Sequence, residues 1–547
     1  MADATLNTVP KQFLAAYSLA SLLFLRIWFE LNHLHHEAMH KYWLGRAPTM
    51  LDYAVAVAGA LLLACLLLPL IRAMQRRDRP RLAAACAFIV MVLLGRSAYL
   101  ALGISELLPE LVRLQIQDAA GALWLSGATA AGLFGACVLL VWLRRSREWL
   151  LGSCPALGAV LVILFPYGIA AAATALNSGF RADDDFPAVV RSAPDTNTRV
   201  AVAGAPRVIV MVFDELDYRL AFESSRGLEL KGLSRLRASS LFATQAFPPS
   251  NATAISMPAL LMGERLQNIR TDRRDGLDLF REDGSVVSFG DSATLVHRAV
   301  GEGHRVSLIG WYHAYCRLFT MASDCLDSPG HGHSTSYPAT DAWEVMIAQW
   351  RQVVPFGGSY AVSRYENSVS RFRRVLADPS LGLVFAHFSI PHGPVIFDAS
   401  TGKLTNAVRE VTYATGPVGY FSNLMLVDRL VDETMDAMQA GCRGCILVVT
   451  SDHWWRWARR YDGRTDRRVP FAVYMPGESG STLLGRKFNT EFLAHLVMAM
   501  LRGETATRAD IARWIERHGR PRDPVSAPWM DDEDRMATSH DPPGMPH

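Results

Sequence analysis

Val208-Ile209-Val210-Met211-Val212-Phe213-Asp214-Glu215 decides the fold. Six apolar residues, largely β-branched, run without the alternation of a half-wet strand. Both faces must therefore be covered, as in a parallel strand at the centre of a sheet. Runs of the same character recur at 306–310, 383–388, 445–450 and 471–475, and helical patterns separate them, the longest over 418–440. Strands alternating with helices build a mostly parallel α/β sheet covered on both faces. Sites in such sheets gather beyond the carboxyl ends of the strands.

The residues just past each run carry the chemistry. Asp214 and Glu215 end the first, and Trp311-Tyr312-His313 come after the second. His387 lies inside the third, with Pro391-His392-Gly393-Pro394 after it, and Ser451-Asp452-His453 succeed the fourth. Carboxylate oxygen together with imidazole nitrogen suits zinc or manganese. Taken singly, an Asp-His pair after a strand reads as a capped turn. Their joint occurrence points to one site.

Ser250-Asn251-Ala252-Thr253-Ala254-Ile255-Ser256-Met257-Pro258 comes after the turn-like Phe247-Pro248-Pro249 and leads into Ala259-Leu260-Leu261-Met262. This reads as a loop entering a helix, with Thr253 in the first turn. Free backbone N–H groups and the positive dipole end suit a phosphate and an activated oxygen there. A threonine hydroxyl needs a base or a metal to act as a nucleophile. Two readings stand: Thr253 as nucleophile, with Asn251 beside it on the substrate, or Thr253 as a plain helix cap.

The 547 residues hold more than one domain, and the apolar half of the composition is unevenly spread. A net charge of +3 points to no nucleic-acid partner. Residues 1–176 read as a five-span α-helical membrane domain, with spans at 13–29, 53–71, 82–104, 122–143 and 150–176, each close to the roughly 20 residues a bilayer needs. Arg72, Arg76, Arg77, Arg79 and Arg81 lie between spans two and three, and Arg144, Arg145 and Arg147 between four and five. The positive-inside rule then places the N-terminus in the cytoplasm and everything after the fifth span outside. Residues 177–206 read as a linker, 207–503 as the catalytic domain and 504–547 as a flexible tail. Cys316/Cys325 and Cys442/Cys445 form two close pairs, expected as disulfides in an extracytoplasmic compartment; a redox or zinc CxxC is the alternative for the second. His36-Glu37-Ala38-Met39-His40 matches the HExxH zinc-protease pattern, without an evident third ligand. The same loop also reads as a polar surface under the outer domain.

These residues resemble the alkaline phosphatase/sulfatase superfamily, and with five preceding spans the chain resembles the membrane-bound phosphoethanolamine transferases and lipoteichoic acid synthases. The resemblance implies an alkaline phosphatase-like (sulfatase-like) outer domain. It carries the nucleophile onto Thr253, within Thr253-Ala254-Ile255-Ser256-Met257-Pro258. Acidic metal ligands fall on Asp214, with Glu215 next to it. The Ser-Asp-His motif gives two more ligands, Asp452 and His453. His-Gly-Pro falls on His392-Gly393-Pro394, with His387 upstream, as groups that serve the substrate phosphate, a second metal or proton transfer. Tyr420-Phe421-Ser422-Asn423 looks like part of the family's long helix.

The departures are as telling. Sulfatases carry Cys or Ser and then x-Pro-x-Arg for formylglycine formation, so Thr253 argues against sulfate ester hydrolysis. Trp454 stands where the family has Gly. The transferases' later zinc-binding histidine has no match; that region offers Arg464 and Arg467 for phosphate instead.

The expected activity is metal-dependent transfer of a phospholipid-derived phospho-headgroup, phosphoethanolamine- or phosphoglycerol-like, to a cell-envelope glycan or lipid through a phospho-threonine. Zinc leads as cofactor, with manganese, magnesium or calcium as alternatives. His313 joins the substrate-binding set. A monomer in the bacterial inner membrane with a periplasmic catalytic domain is expected. The alternatives are a membrane-anchored phosphodiesterase or phosphatase, a non-catalytic homologue, and an HExxH protease.

Overall fold

A computed structural model of the chain describes residues 9–31, 42, 50–75, 206–225, 227–271, 276–290, 293–329, 341–353, 360–405 and 417–528. Its apolar runs pair into one eight-stranded sheet. The strands are β1 (Arg207–Asp214), β2 (Ser240–Ala243), β3 (Val306–Tyr312), β4 (Asp324–Pro329), β5 (Leu383–Pro391), β6 (Cys445–Ser451), β7 (Phe471–Tyr474) and β8 (Thr482–Leu484). Their spatial order is β8-β2-β7-β6-β1-β5-β3-β4. Every neighbouring pair is parallel except the two that involve β7. β1, β3, β5 and β6 therefore point the same way, and their carboxyl ends share one edge of the sheet.

β1 is buried along almost its whole length because both of its faces are covered. Val208, Val210 and Val212 join one core with the helices Thr253–Met262 and Leu493–Leu501. Ile209, Met211 and Phe213 join the other with Tyr360–Leu376 and Pro417–Gly441. Burying a side chain of this size contributes about 1.5–3 kcal/mol before entropy is counted, so β1 anchors both layers.

The chain divides into two units whose boundaries differ from the expected ones. One unit comprises Met1–Glu37, Arg46–Pro187 and His333–Gly357; the other comprises Ala38–Gly45, Ala188–Gly332 and Gly358–His547. A contiguous catalytic domain over 207–503 is thus corrected twice. Tyr42 belongs with the sheet, and the helix Ala342–Val353 belongs with the N-terminal helices. A third correction concerns the end of the chain. Residues 504–528 do not run as a tail: Arg508–His518 is a helix capped by Thr507 and Asp510, and it buries Ile511, Trp514 and Ile515 in the core. Val525 bridges to Ser250. Residues 529–547 lie outside the described residues.

In the helical unit, Val9–Leu23 and Leu25–Leu31 succeed one another through Phe24, and Met50–Gln75 packs against them. Gly59 permits that approach, since a Cβ there would lie 3.1 Å from both the Phe24 ring and Trp350 Nε1. Gln349 from the 342–353 helix donates to the Asp52 carbonyl at 3.0 Å. Among the described residues one helix, Met50–Ala73, is long and apolar enough to cross a membrane, with mean hydropathy 2.7. The spans expected at 82–104, 122–143 and 150–176, the His36–His40 motif and the expected linker (Pro206 apart) lie outside the described residues. Both cysteine pairs of the sheet unit are bridged, Cys316 to Cys325 and Cys442 to Cys445.

Candidate active site and metal centre

Thr253 is the first residue of its helix. Ala252 occupies the cap position and makes no side-chain cap hydrogen bond, so the hydroxyl of Thr253 is not spent on capping. Instead Thr253 Oγ1 lies 3.2 Å from His453 Nε2. All ten residues of the helix are buried. Ser256 fixes the entering loop: its Oγ accepts from the Ser250 amide and donates to the Ser250 carbonyl, each at 3.0 Å. Gly263 ends the helix at φ 78°, and a Cβ there would meet His495 at 2.6 Å. Both facts require glycine.

Three neighbouring strands supply a cluster of ligand-type groups beside His453. Asp214 closes β1, His387 stands on β5, and Asp452 comes directly after β6. Their ligand atoms lie within 4.8 Å of one another, and all three are buried. His453 Nε2 is 3.4 Å from Asp214 Oδ1 and 3.5 Å from Asp452 Oδ2. Its Nδ1–H is spent on the Trp454 carbonyl at 2.9 Å, which leaves the Nε2 lone pair facing the cluster. His387 Nδ1 meets the Tyr315 hydroxyl at 3.2 Å. Among the described residues, both Asp214 carboxylate oxygens, Asp452 Oδ2 and His387 Nε2 are buried without a hydrogen-bond partner.

So many orphaned lone pairs at one point need a cation. The electrostatics agree. Burial, then Asp452 and Glu215, hold the Asp214 carboxyl well above its ordinary range. Burial pushes Asp452 up to about 7 against the Thr253 hydroxyl and two backbone amides that pull it down. Burial keeps His387 and His453 neutral, well below their ordinary value. Neutral imidazoles and crowded carboxylates are the state that a divalent metal stabilises.

Several assignments change. His387, expected to serve the substrate phosphate, a second metal or proton transfer, lies in the ligand cluster with Asp214 and Asp452. Glu215, expected as a ligand, is turned to Arg456, 3.3 Å from its Oε1. Burial raises Glu215 to about 7, and Arg456 opposes the shift. Its backbone sits at φ 64°, an uncommon place for a residue with a Cβ. The Tyr420 hydroxyl holds that turn by donating to the Glu215 carbonyl at 2.8 Å.

Asn251, expected on the substrate, holds the C-terminal segment: its Oδ1 accepts from the Ala527 amide at 2.9 Å. His313, also expected on the substrate, is fully buried with both ring nitrogens engaged, Nδ1 at 2.8 Å from the Tyr42 hydroxyl and Nε2 at 3.3 Å from the Thr253 carbonyl. Burial lowers it to about 3. His392 is half-buried, donates Nδ1–H to the Gly393 carbonyl at 2.7 Å, and packs its ring 5.4 Å from that of Trp311. Asn423 fastens this loop with 3.2 Å and 3.0 Å bonds to the carbonyls of His392 and Pro394. Arg464 is exposed, with its backbone amide on Asp462. Arg467 lies over the Trp454 ring at 5.9 Å.

Two cations at the site escaped the sequence reading. Arg456 reaches Glu215 and the Asn251 carbonyl. Arg364, nearly buried, stacks 4.7 Å over Trp311 and donates to Ser389 Oγ at 3.2 Å. Both bear electrostatically on Asp214. A cavity of about 560 Å³ elsewhere on the sheet unit shares no residue with this cluster. Most of its charges are paired, as Arg265 with Glu491 at 3.7 Å, so the chemistry is assigned to the sheet edge.

No protein-family model and no curated protein matches the chain. Among solved structures it is similar to a sulfatase from Pseudoalteromonas sp., at 13% identity and TM-score 0.38 over 54% of this chain and 68% of that one. It is also similar to a phosphonate monoester hydrolase from Silicibacter pomeroyi, at 12% identity and TM-score 0.37 over 54% and 73%. A protein of the alkaline phosphatase superfamily from Vibrio parahaemolyticus is similar at 12% identity and TM-score 0.35 over 54% and 66%. Overlap this loose carries no functional weight; the site's own groups must carry it.

Proposed function

We propose that the chain is a metal-dependent phosphotransferase of the alkaline phosphatase superfamily. It moves a phospholipid headgroup onto an envelope glycan or lipid through a phospho-threonine at Thr253. One observation carries the reading. A threonine hydroxyl at a buried helix N-terminus lies against His453 Nε2, beside a cluster in which both Asp214 oxygens, Asp452 Oδ2 and His387 Nε2 have no hydrogen-bond partner among the described residues.

Asp214, His387, Asp452 and His453 would hold a divalent cation, zinc first among candidates, which when bound supplies Lewis-acid activation of the hydroxyl and charge neutralisation at phosphorus. Thr253 Oγ1 gives up its proton to water and bonds phosphorus, and the P–O bond to diacylglycerol breaks. The departing oxygen takes a proton from water; His392, kept neutral by burial with its Nδ1–H on the Gly393 carbonyl, offers its Nε2 lone pair as the base for the acceptor hydroxyl. An acceptor hydroxyl then attacks the same phosphorus, gives up its proton, and Thr253 Oγ leaves. Arg456 and Arg364 add positive charge beside the reacting centre. Threonine, rather than a formylglycine precursor, favours phosphoryl over sulfuryl chemistry. The exposed Leu61, Leu62 and Leu66 on the Met50–Gln75 helix support a lipid-embedded anchor.

The test is intact-mass spectrometry of the full chain after incubation with mixed phosphatidylethanolamine and phosphatidylglycerol vesicles. An added phosphoethanolamine or phosphoglycerol mapped to Thr253 is the expected result. Release of headgroup phosphate to water, with no acceptor product, would instead favour a phosphodiesterase.

A further inference from the structure

We propose that Tyr42 and His313 form a positioning relay behind the nucleophile: Tyr42 fixes the tautomer of His313, and His313 holds the Thr253 carbonyl. The inference rests on Thr253 being the nucleophile.

The logic of donors and acceptors leaves one arrangement. The Thr253 carbonyl can only accept, so His313 Nε2 carries the hydrogen. The ring is fully buried, and among the described residues its two nitrogens meet a phenol and a carbonyl and no carboxylate. An uncompensated buried charge is costly, so the ring is neutral and Nδ1 is a lone pair. The Tyr42 hydroxyl therefore donates to Nδ1 at 2.8 Å. Tyr42 is itself fixed. It is fully buried, Arg317 donates to its carbonyl at 2.7 Å, and the Arg317 guanidinium lies 5.5 Å over its ring. Phe289 meets the His313 ring edge-on at 5.5 Å, which further restricts its rotation.

A hydrogen bond at the Thr253 carbonyl adds to the helix's own hold on the peptide plane after Thr253. It thereby steadies the Cα–Cβ bond that aims Oγ1 at His453. Tyr42 precedes the sheet unit's first strand by more than 160 residues of sequence, yet it belongs to that unit. The relay gives it a reason to be there. A merely structural tyrosine would lower stability alone; a positioning tyrosine lowers turnover at constant affinity.

The experiment uses the full chain in detergent with bis(4-nitrophenyl) phosphate as substrate and compares Thr253→Ala, Tyr42→Phe, His313→Leu, His313→Gln and Tyr42→Phe/His313→Leu. Tyr42→Phe is expected to lower kcat about 10- to 100-fold, with KM and bound metal unchanged. His313→Gln, which keeps an N–H donor, should exceed His313→Leu. The double variant should match His313→Leu alone, because a relay broken twice is broken once. An unchanged kcat in Tyr42→Phe, beside an inactive Thr253→Ala, overturns the relay; so do effects that simply multiply. Full turnover by Thr253→Ala, or an inert wild type, overturns the nucleophile reading and the relay with it.

Discussion

Replacing Thr253 with alanine separates chemistry from stability, because the structure sets the two losses far apart. The side chain is 7% exposed, and its Oγ1 is hydrogen-bonded to His453 Nε2 at 3.2 Å. Losing that bond costs about 0.5–1.5 kcal/mol. Losing the buried methyl costs about 0.8 kcal/mol. Alanine returns up to about 0.7 kcal/mol as the better helix former. Stability should therefore fall by about 1–2 kcal/mol, a shift of roughly 2–8 °C in melting temperature. Removal of a covalent nucleophile is a different order of effect. Turnover should fall about 10⁴-fold, or about 5.5 kcal/mol in the barrier. Thr253→Ser keeps the oxygen and should retain turnover within about tenfold, equivalent to 1.4 kcal/mol. The assay is nitrophenolate release from bis(4-nitrophenyl) phosphate, with thermal unfolding and metal content measured on the same samples. Alanine and serine variants of equal activity, both close to wild type, would refute the assignment of Thr253.

Asp214→Asn or His387→Ala should lower metal affinity at least about tenfold, read by elemental mass spectrometry after dialysis; full metal content would remove these residues from the centre. In chelator-treated protein, Glu215 and Asp452 should contribute less stability as pH rises. Glu215 and Asp452 sit at about 7 when folded, against ordinary values near 4, so the folded state binds more protons than the unfolded. The contribution of these two carboxylates is then highest at the acid end of the window from about pH 4 to 7 and declines across it, while the buried histidines, held below their ordinary value by burial, contribute with the opposite sign below about pH 6.5. Melting curves taken with and without zinc should converge at low pH and separate at high pH; parallel curves would count against the carboxylate cluster as a cation site. Trp514, 9% exposed and stacked on His518 at 4.2 Å, should cost about 3–5 kcal/mol on replacement by alanine, and denaturant unfolding would show a negligible change if residues 504–528 were a tail.

The central strands were legible because burial on both faces leaves no alternation: β1, β3, β5, β6 and β7 all lie where the apolar runs are. β2, β4 and β8 were not. β4 is polar, carrying Asp324, Asp327 and Ser328, and β8 is three residues long. The C-terminal helix did leave signals. Thr507 with Asp510 is a capping box, and Ile511, Trp514 and Ile515 repeat at helical spacing.

At the site, position after a strand identified the sheet edge correctly for Asp214, Asp452 and His453. It said nothing of which way a side chain turns. That is why His313 proved to face the back of Thr253, Glu215 to face Arg456, and Asn251 to face Ala527. Arg456 stands three residues after His453, but the flanking tryptophans offered no pattern that marked it. Tyr42 had no local signal at all, since its partner lies 271 residues away.

The interleaving of the two units has a consequence for biosynthesis. The N-terminal helices leave the ribosome first, but the helix Ala342–Val353 that completes their packing emerges roughly 280 residues after Gln75. At about 5–20 residues per second, that delay is roughly 15–60 s. During it Trp350 and Gln349 are absent from their places, and nascent β1 already awaits β5 and β6. Neither unit can finish before the other is well advanced, so a chaperone has a defined interval in which to act on both.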